Sequence, residues 1–340
     1  MKRKLLTALL ALCMVIGPLG CETSGPAATP APPPPAEPTA NKLSAWAVYW
    51  DTDGIFTEVS TLQNQLESLH YFAAYFDAQD KLFVPEEIES LRQAVASTYG
   101  PHPPWRSYLT VVNDQRLADG SSSLKDTQLL YRLLGSESDR SQHIAALLSL
   151  AKQGGYDGIE IDYEAIRNDS VLWQHMLDFI QELYEQTEAN SLRLRVVLEP
   201  GIPYDTLSFP IGPDYTVMCY NLYGTGTAPG PKADDAFLRS LLKKTERLPG
   251  KRTFAVATGG FDWANGKATA LSERQAALLA DNMGVTLVRD AKSQAVSFEY
   301  KTNGTTHTVW YADSTTLAHW MTVLQSESEV GLALWRLGEQ

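Results

Sequence analysis

The segment Tyr156-Asp157-Gly158-Ile159-Glu160-Ile161-Asp162-Tyr163-Glu164 carries carboxylates at alternate positions of a strand-like run. A β-strand turns successive side chains to opposite faces, so Glu160, Asp162 and Glu164 share one face while Ile159, Ile161 and Tyr163 share the other. A solvent-exposed edge strand would also tolerate one acidic face. A parallel barrel strand has no such face, because helices cover one side and the packed lumen fills the other. Three carboxyl groups stacked inside a lumen raise one another's proton affinity. The last of them, at the C-terminal end of its strand, would reach the face where barrel folds carry their chemistry, and it suits a general acid.

The surrounding pattern predicts that barrel. Eight short apolar runs, Ala45 to Trp50, His70 to Phe76, Ser107 to Val112, Gly158 to Tyr163, Leu194 to Leu198, Thr216 to Leu222, Thr253 to Ala257 and Gly331 to Trp335, read as strands. Amphipathic stretches lie between them, including Gln142 to Gln153, Val171 to Glu188, Asp235 to Glu246 and Thr315 to Ser326. Eight βα units in this length fit an α/β fold of the (β/α)8 TIM-barrel type, usually about 250 residues plus insertions. The gap after strand seven predicts a small α+β insertion at about residues 262–313, with a helix over Leu271 to Asp281. A hairpin there joins Val296–Tyr300 to Thr308–Tyr311 around Asn303-Gly304. Strand eight lies close to Gln340, so the last helix is expected to be truncated or missing.

Composition and the N-terminal region bound the setting. The 340 residues are 44% hydrophobic and 20% charged, enough apolar content for one large core over residues 43–340. A formal charge of -12 repels phosphate backbones, so no nucleic-acid partner is expected. Lys2-Arg3-Lys4 followed by an apolar run from Leu5 to Ile16 reads as a signal peptide over residues 1–20, because the run is too short to span a bilayer. Gly20-Cys21 resembles the bacterial lipoprotein signal, although Pro18 stands where that pattern prefers leucine. Cys21 is therefore expected to be lipidated, placing the protein in the cell envelope as an exported, membrane-anchored lipoprotein, periplasmic or at the cell surface. Cys13 falls in the leader and Cys219 is the only other cysteine, so no intradomain disulfide is expected. Residues 21–42, with Pro32-Pro33-Pro34-Pro35, are too poor in apolar side chains to fold and read as an extended linker.

The acidic strand resembles the signature of glycoside hydrolase family 18, Asp-x-x-Asp-x-Asp-x-Glu. It matches at Asp157, Asp162 and Glu164 and carries Glu160 in place of the second aspartate. Met218-Cys219-Tyr220-Asn221 is similar to that family's Met-x-Tyr-Asp motif, with Asn221 in place of aspartate, and Trp335 resembles the tryptophan beneath the cleaved sugar. Gly260-Phe261-Asp262-Trp263, Val309-Trp310-Tyr311 and Ala333-Leu334-Trp335-Arg336-Leu337-Gly338 follow in the order seen in the branch containing spore-cortex N-acetylglucosaminidases. The resemblance implies a retaining glycosidase acting without a cofactor on N-acetylglucosamine-containing polysaccharide, chitin-like or peptidoglycan. In that mechanism the substrate's own 2-acetamido oxygen attacks the anomeric carbon, with Glu164 as acid and then base. Asp162 holds the acetamido N–H, Tyr220 its carbonyl, and Trp335 stacks under the ring. Asp157, Glu160, Met218 and Asn221 would belong to the same substrate site. The longer Glu160 is expected to crowd Asp162 and disturb the proton shared with it, and Asn221 removes one negative charge.

Trp50 and Asn113, at predicted C-terminal strand ends, are further candidates to line the cleft. The six histidines, His70, His102, His143, His175, His307 and His319, show no metal-ligand spacing, so no metal is expected. Cys219 should face away from Tyr220 and fill the core. A monomer is expected. The competing reading is a lectin-like barrel that binds glycan without cleaving it; lectin-like members usually lose the acid, and Glu164 is present.

Overall fold

The alternation around Glu160 is realised in a closed parallel barrel. A computed structural model of the chain describes residues 42–52, 54–117, 119–326 and 329–338. The predicted leader, Cys21 and the linker as far as residue 41 lie outside the described residues. The barrel strands are β1 (Leu43–Val48), β2 (Leu66–Asp77), β3 (Arg106–Arg116), β4 (Gly158–Asp162), β5 (Arg193–Leu198), β6 (Asp214–Met218), β7 (Arg252–Ala257) and β8 (Gly331–Trp335). Each pairs in parallel with its successor, and β8 returns to pair with β1, closing the sheet on itself.

Outward-facing residues such as Ala45, Leu69, Leu109, Ile159, Ile161, Val196, Val217 and Val256 join one core with the helices. Those helices are α1 (Ile55–Leu62), α2 (Glu86–Tyr99), α3 (Thr127–Leu134), α4 (Glu137–Gly154), α5 (Ser170–Ala189), α6 (Asp235–Lys244) and, beyond the insertion's α7 (Glu273–Met283), α8 (Ser314–Gln325). Their starts are set locally: Asp126, Ser136, Asp169, Asp234, Ser272 and Asp313 each accept a bond from a first-turn backbone N–H. Such a cap stabilises a helix by about 1 kcal/mol. Among the described residues no helix follows β8, and none lies between β5 and β6. There Pro200, Pro203, Pro210 and Pro213 break any helical ladder. Phe209 covers the gap, with its ring 5.4 Å from that of Tyr215.

After β7 the chain builds a five-stranded antiparallel sheet from Gly259–Ala264, Lys267–Leu271, Val288–Arg289, Val296–Thr302 and Thr305–Ala312, backed by α7. Two of its hairpins turn on Asn-Gly pairs with left-handed backbones, Asn303-Gly304 as expected and Asn265-Gly266, which the sequence reading had not singled out. The insertion begins at Gly259, three residues before the expected boundary. Strand ends also shift. β1 stops at Val48 and β6 at Met218, so Trp50 and Tyr220 stand on the loops just beyond.

The lumen is filled by polar residues placed side by side by the register. Trp46, His70 and Tyr108 are successive partners across β1, β2 and β3, and Thr110, Glu160 and Arg195 across β3, β4 and β5. Glu160 is fully buried at the centre of this group. Its carboxylate accepts bonds from Trp46 Nε1 at 2.6 Å and Thr110 Oγ1 at 2.8 Å. Arg195 Nε lies 2.8 Å away and His70 Nδ1 2.9 Å away. Arginine can only donate, and Arg195 Nη1 lies 2.9 Å from His70 Nε2, so His70 accepts at Nε2 and carries its hydrogen on Nδ1, towards Glu160. Burial and Arg195 push His70 down to about 4, leaving it neutral, so Arg195 is the ionic partner. Burial by itself would raise the Glu160 carboxyl, but the His70 N–H, the Arg195 guanidinium and the Thr110 hydroxyl hold it down to about 2.

This arrangement predicts a specific stability loss. Glu160→Ala strands Arg195 without its anion and should cost about 3–5 kcal/mol in denaturant unfolding, the scale of a broken buried ion pair. Glu160 is depressed in the folded state, so its contribution is complete above its unfolded value near 4.5 and fades as the pH falls towards 2. Unfolding midpoints measured from pH 6 down to pH 2 should therefore converge between the wild type and the variant.

Candidate active site at the C-terminal barrel face

Asp162 ends β4 one period above Glu160, and Glu164 follows on the loop into α5. Ile161 and Tyr163 join the outer core, so alternation delivers Asp162 to the lumen side. Its Oδ1 is buried and has no hydrogen-bond partner among the described residues. Burial first, then the neighbouring carboxylates Glu164 and Glu160, raise the Asp162 carboxyl well above its usual range. Glu160, with one oxygen hydrogen-bonded by Trp46 and Thr110 and the other within ion-pair distance of Arg195 and His70, is held below Asp162 and acts on it through its charge. The expected crowding is replaced by a carboxylate anchored in place, because the extra methylene carries it to partners on β1, β2, β3 and β5.

Asn113, near the end of β3, fixes Glu164. Its Nδ2 donates to Glu164 O at 3.1 Å and its Oδ1 accepts from Glu164 N at 2.9 Å. Both amide ends are thus spent on backbone, and Asn113, only 1% exposed, positions the acid instead of lining the cleft. Beyond Glu164, Ala165 takes a left-handed backbone and donates its N–H to Glu199 Oε2 at 2.8 Å. The Glu164 carboxylate forms an ion pair with Lys125 Nζ. Burial raises Glu164 above its ordinary value, Glu199 and Asp114 add to that, and Lys125 opposes it.

Tyr220, Asn221 and Trp335 line one cleft of about 320 Å³, whose further wall comes from Lys232 and the insertion residue Phe261. Tyr220 and Trp335 pack on Trp46 and Met218 at the top of the lumen, with the Trp335 and Trp46 rings 5.7 Å apart. Burial raises the Tyr220 phenol well above its usual range, and the charges of Asp162 and Glu164 raise it further, so the hydroxyl remains a donor. Met218 is buried beneath this cleft as packing. Asn221 is exposed with a left-handed backbone at φ 60°, which asparagine tolerates better than most residues. Trp50 is 49% exposed on the rim, edge-on to Phe72 and under the Arg336 guanidinium. Cys219 is fully buried in the outer core, where burial raises its thiol.

Asp157 stands apart. It precedes β4 at the opposite, N-terminal end of the barrel and accepts from Ser107 N at 2.7 Å and Ser107 Oγ at 2.9 Å. Its place in the motif reflects strand pairing, five residues and a full strand length away from Asp162. Lys125, Glu199 and Lys232 were not singled out by sequence, and Phe261 only within the stretch Gly260-Phe261-Asp262-Trp263. The first three lie in turns or loops without periodic signal and Phe261 on the insertion's first strand, and only the position of Glu199 directly after β5 hinted at the active face.

Comparison with known proteins bears on this geometry. Glycosyl hydrolases family 18 matches residues 120–340. YdhD of Bacillus subtilis (strain 168), by name a sporulation-specific glycosylase, is 23% identical over 230 residues, covering 62% of this chain and 54% of its own. The chain thus spans about half the length of that relative. Among solved structures, the spore cortex-lytic enzyme SleL of Bacillus cereus superposes with a TM-score of 0.72 at 18% identity, over 90% of this chain and 73% of SleL. A chitinase of Chromobacterium violaceum ATCC 12472 gives 0.73 at 20% identity, over 88% and 95%. At such identities the superpositions establish the fold alone. The family match is what carries the assignment, since it takes in β4 with Asp162 and Glu164, the loop after β6 with Tyr220, and β8 with Trp335: this chain belongs to glycosyl hydrolases family 18, a family of glycosidases.

Proposed function

We propose that this chain is a retaining glycosidase that cleaves β-linked N-acetylglucosamine glycans, chitin-like or peptidoglycan, with the substrate's own acetamido group as nucleophile. The observation that carries this reading is the unpartnered, buried Oδ1 of Asp162 beside the Glu164 carboxyl and the Tyr220 phenol. A buried carboxylate oxygen without a donor is costly unless a ligand supplies one, and an acetamido N–H is such a donor. With that N–H on Asp162 and the acetamido carbonyl on Tyr220, the carbonyl oxygen is aimed at the anomeric carbon. It forms the new C–O bond as the glycosidic bond breaks, and Glu164 transfers its proton to the departing oxygen. Asp162 stabilises the positive oxazolinium that results. Water then attacks the anomeric carbon, yields its proton to Glu164, and reopens the ring with retention. Trp335 offers an aromatic floor, and the solved relatives that are a chitinase and a spore cortex-lytic enzyme are consistent with such a substrate.

We further propose that the domain is exported and held at a membrane by a lipid on Cys21, on the strength of the basic start, the apolar run and Gly20-Cys21.

Glu164→Gln keeps the shape and removes the transferable proton, so chitooligosaccharide or peptidoglycan hydrolysis, followed by mass spectrometry of the products, should fall at least ~10²-fold while glycan binding persists. Full activity in that variant refutes the assignment, and wild type that binds but never cleaves establishes the lectin alternative. Because the acid must be protonated and is raised in the folded protein, turnover should be high below the Glu164 value and decline as pH rises through it. Cys21→Ser should move the protein from the membrane to the soluble fraction with its unfolding transition unchanged; persistent membrane fractionation excludes the anchor.

A further inference from the structure

Lys125 presents a conflict with the proposed chemistry. A general acid has to be protonated, and an ammonium group set against its carboxylate favours the ionised form. The pair nonetheless forms, and the backbone is arranged for it. Lys125 takes a left-handed backbone at φ 53°, its N–H donates to Asp114 Oδ1 at 2.7 Å, and the N–H of Asp126 donates to Asn113 O at 2.8 Å. The loop from β3 into α3 is thereby pinned next to the residue that fixes Glu164. The Lys125 side chain is still 49% exposed, against 17% for Glu164. Its ammonium has three donors, and Glu164 is its only hydrogen-bonded or ion-paired partner among the described residues, leaving donors directed to solvent. The charged groups facing it are Glu164, Asp162, Glu199 and Asp114, all of them carboxyls that favour its charged form.

The acid's carboxyl must face the leaving-group oxygen, so a cation seated on it stands on the leaving-group side of the scissile bond. A neutral sugar there offers Lys125 nothing in exchange for Glu164. A sugar carrying a carboxylate does, and on a chain of net charge -12 a cation at the cleft is the feature that would admit such a sugar. We infer that Lys125 forms a subsite for a carboxylate-bearing sugar on the leaving-group side of Glu164, and that this carboxylate draws the lysine away and releases Glu164 to act as the acid. The inference rests on the reading of Glu164 given above and narrows its substrate to anionic glycan. Lys125 is here a specificity-determining and positioning residue.

The test compares two forms of one glycan with the full chain. Peptide-free strands of alternating N-acetylglucosamine and N-acetylmuramic acid are offered with their lactyl carboxylates free or converted to methyl esters. Wild type should cleave the free-carboxylate strand with a kcat/KM about fivefold higher, the scale of one partly exposed ion pair. In Lys125→Met that ratio should fall to about one, and the alkaline limb of the kcat/KM profile, which reports the free enzyme, should move to higher pH because the cation that lowers the acid is gone. Equal rates on both strands in wild type, or a preference that survives Lys125→Met, overturns the subsite. If neither strand is cleaved while chitooligosaccharides are, the subsite is overturned and the glycosidase reading stands. If none of the three is cleaved the glycosidase reading fails, and the same ratio taken from Kd by calorimetry decides the subsite independently: a free-carboxylate preference abolished by Lys125→Met upholds it, and no preference overturns it.

Discussion

The buried carboxylate of Glu160 is the constraint around which the barrel is assembled. An ionised carboxylate in a dry lumen is tolerated only with hydrogen-bond donors and a compensating charge. Here these come from four other strands: Trp46 on β1 and Thr110 on β3 donate to one oxygen, and Arg195 on β5 and His70 on β2 lie within ion-pair distance of the other. The group therefore ties together β1 through β5, elements as much as 149 residues apart in the pairing of Trp46 with Arg195, whose guanidinium lies 5.0 Å from the indole ring centre. Such a polar hub offers no more net stability than an apolar core would. What it does supply is registration, because any slip of β4 would leave both Glu160 and Arg195 uncompensated.

The same hub sets the electrostatics above it. Glu160 is a permanent negative charge directly below Asp162, and Glu164 is another carboxyl above it, so Asp162 is raised from both sides as well as by burial. Two neighbouring carboxyls cannot both ionise at low cost, and the pair shares its protons as a unit. Lys125 acts on the outer member of that pair, and Tyr220 is kept as a donor by the inner one. A departure from the family pattern, glutamate for aspartate at position 160, thus finds its reason in the extra reach needed to meet partners on both sides of the lumen.

The insertion contributes by position. Its first strand leaves β7 at the C-terminal face, which brings Phe261 and Ser272 to one wall of the cleft holding Tyr220 and Trp335. The insertion has an apolar core of its own around Phe298 and Tyr300, while Ala295, Ala312 and Trp310 pack onto that of the barrel.

Much of this was legible in the chain alone, for local reasons. Strand alternation placed Glu160, Asp162 and Glu164 on one face because the period of two is a property of the backbone, whatever the strand packs against. The Asn303-Gly304 hairpin followed from backbone sterics, and the helix expected over Leu271 to Asp281 from its periodicity, although it forms two residues later, over Glu273–Met283, behind its Ser272 cap. Eight apolar strands, most of them followed by a helix, pointed to a closed barrel, since parallel strands of this kind bury both faces with helices covering the outside. What the sequence could not determine is whatever depends on partners remote in the chain. Asp157 and Asn113 looked like ligands by position, yet one caps a strand pair at the far end of the barrel and the other spends its amide on the Glu164 backbone. Lys125, 39 residues before Glu164 in a loop with no periodic signal, meets the acid only because β3 and β4 are neighbours in the sheet. Periodicity is written in the order of residues, whereas the pairing of charges is set by distances that exist only after the barrel has closed.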